Sequence, residues 1–445
     1  MTLYKNKKER TDMRCRLVEG TKENLKSTVE KLGIRGKMDL KPVIETVQAV
    51  IDNIRENGDS ALLGYTEKFD GVKLEAKDLR VTDEEIANAK SQVDPELLKV
   101  MERAAANIRR FHEHQKETGF MTDNGNGAQV GVRVRPITTA GIYVPGGTAP
   151  LPSTVLMDVI PASVAGVKRI VFATPPRKDG TIAPVILAAA SIAGATEIYR
   201  MGGSQAIAAM AYGTETIPRV DKICGPGNIY VNTAKRLVYG QVDIDMFAGP
   251  SEILIIADGT ANPEFVAADM LSQAEHDKMA SAIVLTDSKE LAEKVLEAVD
   301  RRSDAAERSA ILERSLQDYC AIIVCDSLDT AVGFSEEIAP EHLEICVKDP
   351  EKFSEKISNC GAMFLGSWSP EPLGDYFAGP NHTLPTSGTA RFFSPLNTGD
   401  FYKKMSVINY SREALADVYK DVAAFADSEG LTCHAAAVRS RFEES

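Results

Sequence analysis

The hydrophobic pattern of the chain changes character several times. From Pro42 to about Gln115 apolar positions recur at helix spacing: Val43, Val47, Val50, Ile51 and Ile54, then Leu97, Met101, Ala104 and Ile108. From Gly141 short apolar runs alternate with helical stretches. Strands are expected at 141–144, 169–173, 197–200 and 222–224, and helices at 154–165, 183–193, 205–212 and 228–239, with Gly166 and Gly194 ending two of them. A second alternation begins at Glu252. Its strands are expected at 253–257, 282–286, 321–325, 344–347 and 362–365. Asn262 and Pro263 open a helix that runs to about Ala274. Repeated βα units of this length predict an α/β chain with two successive parallel-sheet blocks. They suggest a duplicated unit, but no residue-level repeat proves it. Residues 1–40 are weakly patterned and read as an arm. Residues 387–445 carry no βα alternation and read as a loop, a helical segment at 413–425 and a terminal helix.

Composition narrows the partners. The 445 residues, 44% hydrophobic and 26% charged, suit a soluble globular protein. A net charge of −13 argues against nucleic acid, which needs a basic face, and leaves a cationic substrate open. No apolar run is long enough to span a membrane. The basic N-terminal positions (Lys5, Lys7, Lys8, Arg10, Arg14, Arg16) lack the apolar core of a secretory signal. Seven scattered cysteines without a CxxC read as free thiols in a reducing cytoplasm.

Candidate chemistry gathers in the second half. Of six histidines, four (His276, His342, His382, His434) stand near Gln, Glu or Asp in polar, Gly- or Pro-containing segments. Glu341 and His342 follow Pro340, between a helix expected at 328–338 and a strand. They read as loop residues, at a place common for catalytic groups in α/β proteins, or as a solvated acid beside a surface histidine. Gln273 and His276 project from one helix face, either as two ligands of one metal or with His276 merely capping the helix end. Asp375 and His382 flank a Gly-Pro-rich loop, either a site or a surface turn, and His434 follows Glu429. A Gln, two His and an Asp suit a borderline divalent ion such as zinc. His112 and His114 close a helix and are expected to be exposed. The usual GxGxxG fingerprint is absent. Three Gly-rich loops, at 141–147, 202–205 and 225–228, nevertheless stand where strands should end, the edge at which parallel sheets bind ligands.

Eight segments carry a resemblance: GIYVPGG, GGSQAIAA, CGPGN, AGPSEILIIAD, LSQAEH, APEHLEI, GDYFAGPNHTLPT and EGL followed by His434. Together they resemble the histidinol dehydrogenase family from about Val43 to His434. The resemblance implies two incomplete Rossmann-like domains, residues 41–140 joining 252–386 in one and 141–251 forming the NAD-binding other. It also implies an intertwined homodimer built with a 387–445 arm. The implied reaction is the two-step, NAD-linked oxidation of L-histidinol to L-histidine, the last step of histidine biosynthesis. Zinc ligands would be Gln273, His276, Asp375 and His434. Glu341 and His342 would be the acid–base pair, with Ser251, His382 and Glu429 around the substrate and Tyr143, Gln205 and Asn228 on NAD. The rival readings are a dehydrogenase of another small alcohol, a zinc hydrolase using Glu341 as base, and a non-catalytic binder.

Overall fold

The computed structural model describes residues 15–35, 41–146, 150–247 and 249–443. The basic positions from Lys5 to Arg14, Gly147 of the first Gly-rich loop and Ala248 lie outside them. Fourteen strands occur among the described residues. They are β1 (Arg16–Glu19), β2 (Phe120–Asp123), β3 (Gln129–Pro136), β4 (Thr139–Tyr143), β5 (Arg169–Thr174), β6 (Glu197–Arg200), β7 (Lys222–Cys224), β8 (Asp243–Ile244), β9 (Glu252–Ala257), β10 (Ser281–Thr286), β11 (Ala321–Val324), β12 (His342–Cys346), β13 (Ala362–Leu365) and β14 (Tyr402–Asn409).

Two sheets are wholly parallel. The first has order β6-β5-β4-β7-β8 and the second β1-β11-β10-β9-β12-β13. Leaving β1 aside, both wind in the same way: three strands step out to one side and the next two to the other. Each sheet therefore has one switch point, between β4 and β7 in the first and between β9 and β12 in the second. The chain is α/β with two incomplete Rossmann-like sheets, and the duplication that no residue repeat reveals is plain in the strand order.

Burial on both faces explains the uninterrupted apolar strands. In β9, Ile253, Ile255 and Ala257 enter one core while Leu254 and Ile256 enter the core on the opposite face. Around the first sheet, the helices Pro184–Ala193 and Gly203–Tyr212 are apolar nearly all round, so they need a second layer. Residues 41–113 supply it. Val47, Val50, Ile51 and Ile54 of helix Lys41–Tyr65 share a core with Ile207 and Met210. Met101, Ala104 and Ile108 of helix Pro95–Glu113 share one with Val155 and Leu187. These helices thus pack mainly on the first sheet rather than on the 252–386 block where the resemblance would place them, which helix Pro95–Glu113 touches at Phe377 and Asn381.

Three further expectations are corrected. Residues 16–35 are not a loose arm: β1 pairs with β11 at the edge of the second sheet, and Leu25 of the following helix is buried. His112 is fully buried, because Gln115 and Asn381 supply polar partners for its ring; His114 is exposed. The 387–445 segment contains β14, which joins β3 and β2 in an antiparallel sheet. That strand is largely exposed, so it lacks the alternation a buried face would impose. Beyond it, helices Arg412–Ser428 and Thr432–Arg439 pack on each other and leave Val422, Phe425 and Leu431 exposed.

Candidate active site

The candidate site forms at the amino ends of β9 and β12. Helix Leu328–Ile338 stops at Ala339, in the left-handed region (φ 48°), whose N–H still reaches the Ser335 carbonyl. The carbonyls of Pro340 and Glu341 then accept from Gly361 and Ala362 at 2.9 and 2.8 Å, which draws the chain into β12. His342 is consequently the first strand residue rather than a loop residue, and it sits in register with Ile253 of β9. Glu252 lies alongside, its N–H donating to Glu341 Oε2 at 2.8 Å.

The His342 ring lies 3.0 Å through Nδ1 from the Glu252 carbonyl. A carbonyl only accepts, so Nδ1 carries the proton and neutral His342 keeps a lone pair on Nε2. That Nε2 has no hydrogen-bond partner among the described residues and stands 3.7 Å from Glu371 Oε1 and 3.9 Å from Asp375 Oδ1. His276 repeats the device just past helix Pro263–Ala274. Its Nδ1 lies 3.0 Å from the Ser272 carbonyl, and its Nε2 faces Asp375 Oδ2 at 4.0 Å. It therefore caps the helix and presents a free nitrogen at once. Gln273 is fully buried with both amide atoms unpartnered.

Glu371 is the residue that sequence reasoning missed. It is buried, one turn before Asp375 on helix Glu371–Tyr376, and its N–H donates to Glu344 Oε1 at 2.8 Å. His342, Glu371 and Asp375 offer ligand atoms all within 4.8 Å of one another. The signal available was the i, i+4 acid pair Glu371/Asp375 in an otherwise apolar and Pro-Gly stretch. Burial first, then the Asp375 carboxylate, push the Glu371 carboxyl well above the usual carboxylate range. Burial lowers the His342 pKa, with Asp375 opposing, and does the same to half-buried His382. Both rings are thereby biased towards neutral forms able to accept a proton or bind a cation.

The first sheet closes the other side. In the loop after Gly379, His382 Nε2 lies 3.4 Å from Thr154 Oγ1, at the start of helix Pro152–Ala165. The Asn381 amide donates to the Met157 carbonyl, and Thr383 Oγ1 donates to Asp158 at 2.6 Å. Thr386 Oγ1 accepts from Gly249 N–H, and Ser387 N–H donates to Glu252. The loop therefore stitches the carboxyl edge of the first sheet to the amino edge of the second. Ser251 stands just ahead of β9, its carbonyl taking the Ser281 N–H. At the carboxyl edge of the first sheet, buried Tyr143 ends β4 and its hydroxyl takes the Gly203 N–H at 3.1 Å. Gln205 is buried with both amide atoms unpartnered. Asn228 is exposed and caps helix Ile229–Val238 through its side-chain oxygen.

Two expected members are not brought to the cluster within the chain. Glu429 ends helix Arg412–Ser428 and His434 lies on Thr432–Arg439; both are exposed. The ligand atoms that converge are those of His342, Glu371 and Asp375, with His276 Nε2 4.0 Å from the other Asp375 oxygen; imidazole and carboxylate donors of this kind fit a zinc-like ion.

Comparison with known proteins identifies the family. The histidinol dehydrogenase family model matches residues 34–442. A histidinol dehydrogenase from Caldanaerobacter subterraneus subsp. tengcongensis is 54% identical over 422 residues, covering 95% of this chain and 98% of the relative. One from Clostridium acetobutylicum is 52% identical over 401 residues, covering 90% and 93%. The crystal structure of histidinol dehydrogenase from Elizabethkingia anophelis superposes with a TM-score of 0.90 at 40% identity, covering 97% of this chain and 98% of that one.

Proposed function

The chain belongs to the histidinol dehydrogenase family, and from that premise we propose that it oxidises L-histidinol through L-histidinaldehyde to L-histidine, using zinc and NAD. The observation that carries the reading is the pair of histidines, His276 and His342, each with Nδ1 held by a backbone carbonyl and Nε2 turned to Asp375. Gln273, His276 and Asp375 would hold the zinc, with His434 arriving from a second subunit. Tyr143, Gln205 and Asn228 would line the NAD site. When bound, zinc supplies a Lewis-acidic anchor for the substrate imidazole and amine, and NAD supplies the hydride acceptor.

His342 acts as the base of the first oxidation, taking the hydroxyl proton on Nε2; the Glu252 carbonyl stabilises the imidazolium by holding Nδ1–H. The second oxidation starts from the aldehyde hydrate. Glu341, aimed by the Glu252 N–H, takes the proton of the attacking water. Acidic Glu429 suits the cationic amine, and Ser251 and His382 orient the substrate. Burial of Glu341, His342 and Gln273 keeps bulk water from the aldehyde. The 387–445 segment builds a homodimer by crossing to the neighbouring subunit. Cytoplasmic operation fits cysteines that are unpaired among the described residues. No helix among them is long and apolar enough to cross a membrane.

The test is NADH absorbance on mixing the protein with NAD and L-histidinol, together with zinc analysis. A chelator should abolish turnover while far-ultraviolet dichroism is retained, and zinc should restore the rate. His276→Ala and Asp375→Asn should lose zinc and His342→Ala should keep it. Zinc lost from His342→Ala alone would move the metal to the His342, Glu371 and Asp375 group.

A further inference from the structure

We propose that Asp70 selects the dinucleotide: its carboxylate accepts ribose hydroxyls of NAD and turns away a ribose bearing a 2′-phosphate. The inference rests on the reading of the first sheet as the NAD site and adds a specificity-determining residue to it. In sheets of this winding the ribose commonly meets an acid at the end of the second strand. Here that strand, β5, runs out into Thr174-Pro175-Pro176 and offers no carboxylate. Asp70 arrives instead from outside the sheet, as the last residue of the short helical turn Thr66–Asp70, which Gly71 ends in the left-handed conformation.

Its position follows from Gly202. A methyl group there would meet Pro175 Cβ at 2.5 Å and Asp70 Oδ1 at 3.2 Å. Asp70 thus stands where the ends of β5 and β6 meet, packed with Pro175 against a glycine that admits no side chain. Its Oδ2 is buried with no hydrogen-bond partner among the described residues. Next to Gly202, a methyl group at Gly203 would meet Gln205 Oε1 at 2.6 Å, and both amide atoms of that buried side chain are likewise unpartnered. Buried polar atoms are nearly always paired. Three orphans around one glycine pair, an acceptor from Asp70 and a donor and acceptor from Gln205, match a polyhydroxylated ligand absent here. Burial raises Asp70 to about 6, which still leaves a carboxylate above neutrality. No cation is paired with it among the described residues, so a phosphate at its side would meet uncompensated negative charge.

The experiment titrates ADP-ribose and its 2′-phosphate calorimetrically into the full-length protein, Asp70→Asn, Asp70→Ser and the control Glu67→Gln, an exposed neighbour on the same turn. The native protein should prefer ADP-ribose by about 100-fold, and either Asp70 variant should shrink that ratio to within about fivefold, as expected when a charge-assisted bond and a charge clash are both removed. The Michaelis constant for NAD should rise in parallel, that for L-histidinol should not, and Glu67→Gln should behave as native. A native protein that binds the two ligands equally overturns the proposal without any variant. An unchanged ratio in folded Asp70→Asn overturns it too, leaving Asp70 as a charge facing the start of helix Gly203–Tyr212. If the native protein binds neither ADP-ribose nor NAD, the reading of the first sheet falls, and the role of Asp70 with it.

Discussion

At His342 a single backbone carbonyl settles which ring nitrogen carries the proton. Glu252 O holds Nδ1, so Nε2 is left to accept. Glu341, the adjacent acid, is held by the Glu252 N–H, so one residue orients both members of the pair. If the two divide the work, Glu341→Gln should slow aldehyde oxidation at least about tenfold more than alcohol oxidation, and His342→Ala should chiefly harm the alcohol step. Single-turnover rates with each substrate decide it, and equal slowing of both steps by Glu341→Gln would remove the assignment. Asp158 gives a second test, of stability. Burial, with a smaller push from Asp245, raises its pKa to about 8, while Thr383 and Lys235 pull the other way. The folded chain therefore holds a proton here that the unfolded chain has released above about pH 4. Stability falls as pH rises through that window, and the contribution is fully lost above about pH 8. Asp158→Asn has nothing to titrate. In denaturant titrations its stability relative to the native protein should rise between about pH 5 and pH 8, by up to about 1.4 kcal/mol for each pH step of one. A pH-independent gap between the two would show that Asp158 is not protonated in the fold.

Among the elements, the turn after β7 depends most on one residue type. Gly225 has φ 115°, and a methyl group on it would lie 1.9 Å from the Tyr143 carbonyl at the end of β4. Its N–H donates to Asp245 at 2.7 Å, its carbonyl accepts from Lys235 at 3.0 Å, and Lys235 and Asp245 form a buried ion pair. Such a pair costs desolvation to build, yet removing one member strands the other. Its evident work is to pin this peptide at the switch point of the first sheet. Lys235→Met should destabilise by about 3–5 kcal/mol in denaturant titration, and Gly225→Ala by at least about 3 kcal/mol, from strain and clash together. A loss under about 1 kcal/mol in both would mean the loop rearranges freely.

The whole molecule sets two similarly wound sheets so that the carboxyl edge of one faces the amino edge of the other, with the loop from Gly379 to Ser387 between them. Under the proposed function, a nucleotide on the first sheet and a substrate on the second would meet across this loop. His434, the donor proposed to come from a second subunit, is exposed on a helix pair without a core of its own. Two inactive variants, Gln273→Ala and His434→Ala, test where it acts. If arms cross between subunits, a mixed dimer carries both lesions in one site and keeps the other intact, so random reassortment should restore roughly a quarter of full activity. If each arm serves its own chain, every site keeps one lesion. Absence of recovery with mixed dimers demonstrably formed would place His434 in its own subunit.

Most strands and helices of both blocks were legible in the sequence to within a few residues, though not the two-residue β8, because strands such as β4, β9, β10 and β12 are buried on both faces and helices carry stops such as Asn262-Pro263 or Gly194. Gln273, His276, His342 and Asp375 stood out in the sequence as polar candidates, although the structure puts Gln273 on helix Pro263–Ala274, His342 at the start of β12 and Asp375 on helix Glu371–Tyr376 rather than in loops. What sequence could not decide depends on neighbours distant along the chain. β14 shows no buried face, so nothing in its pattern marks it as a strand until β3 pairs with it. His112 and Glu371 look like surface residues until the fold encloses them and supplies partners. The winding shared by the two sheets, and the placing of helices 41–113 on the first of them, are properties of contact and not of period. Which nitrogen of His342 is free was decided by Glu252, ninety positions earlier, because a hydrogen bond is set by distance in space and leaves no trace in local spacing.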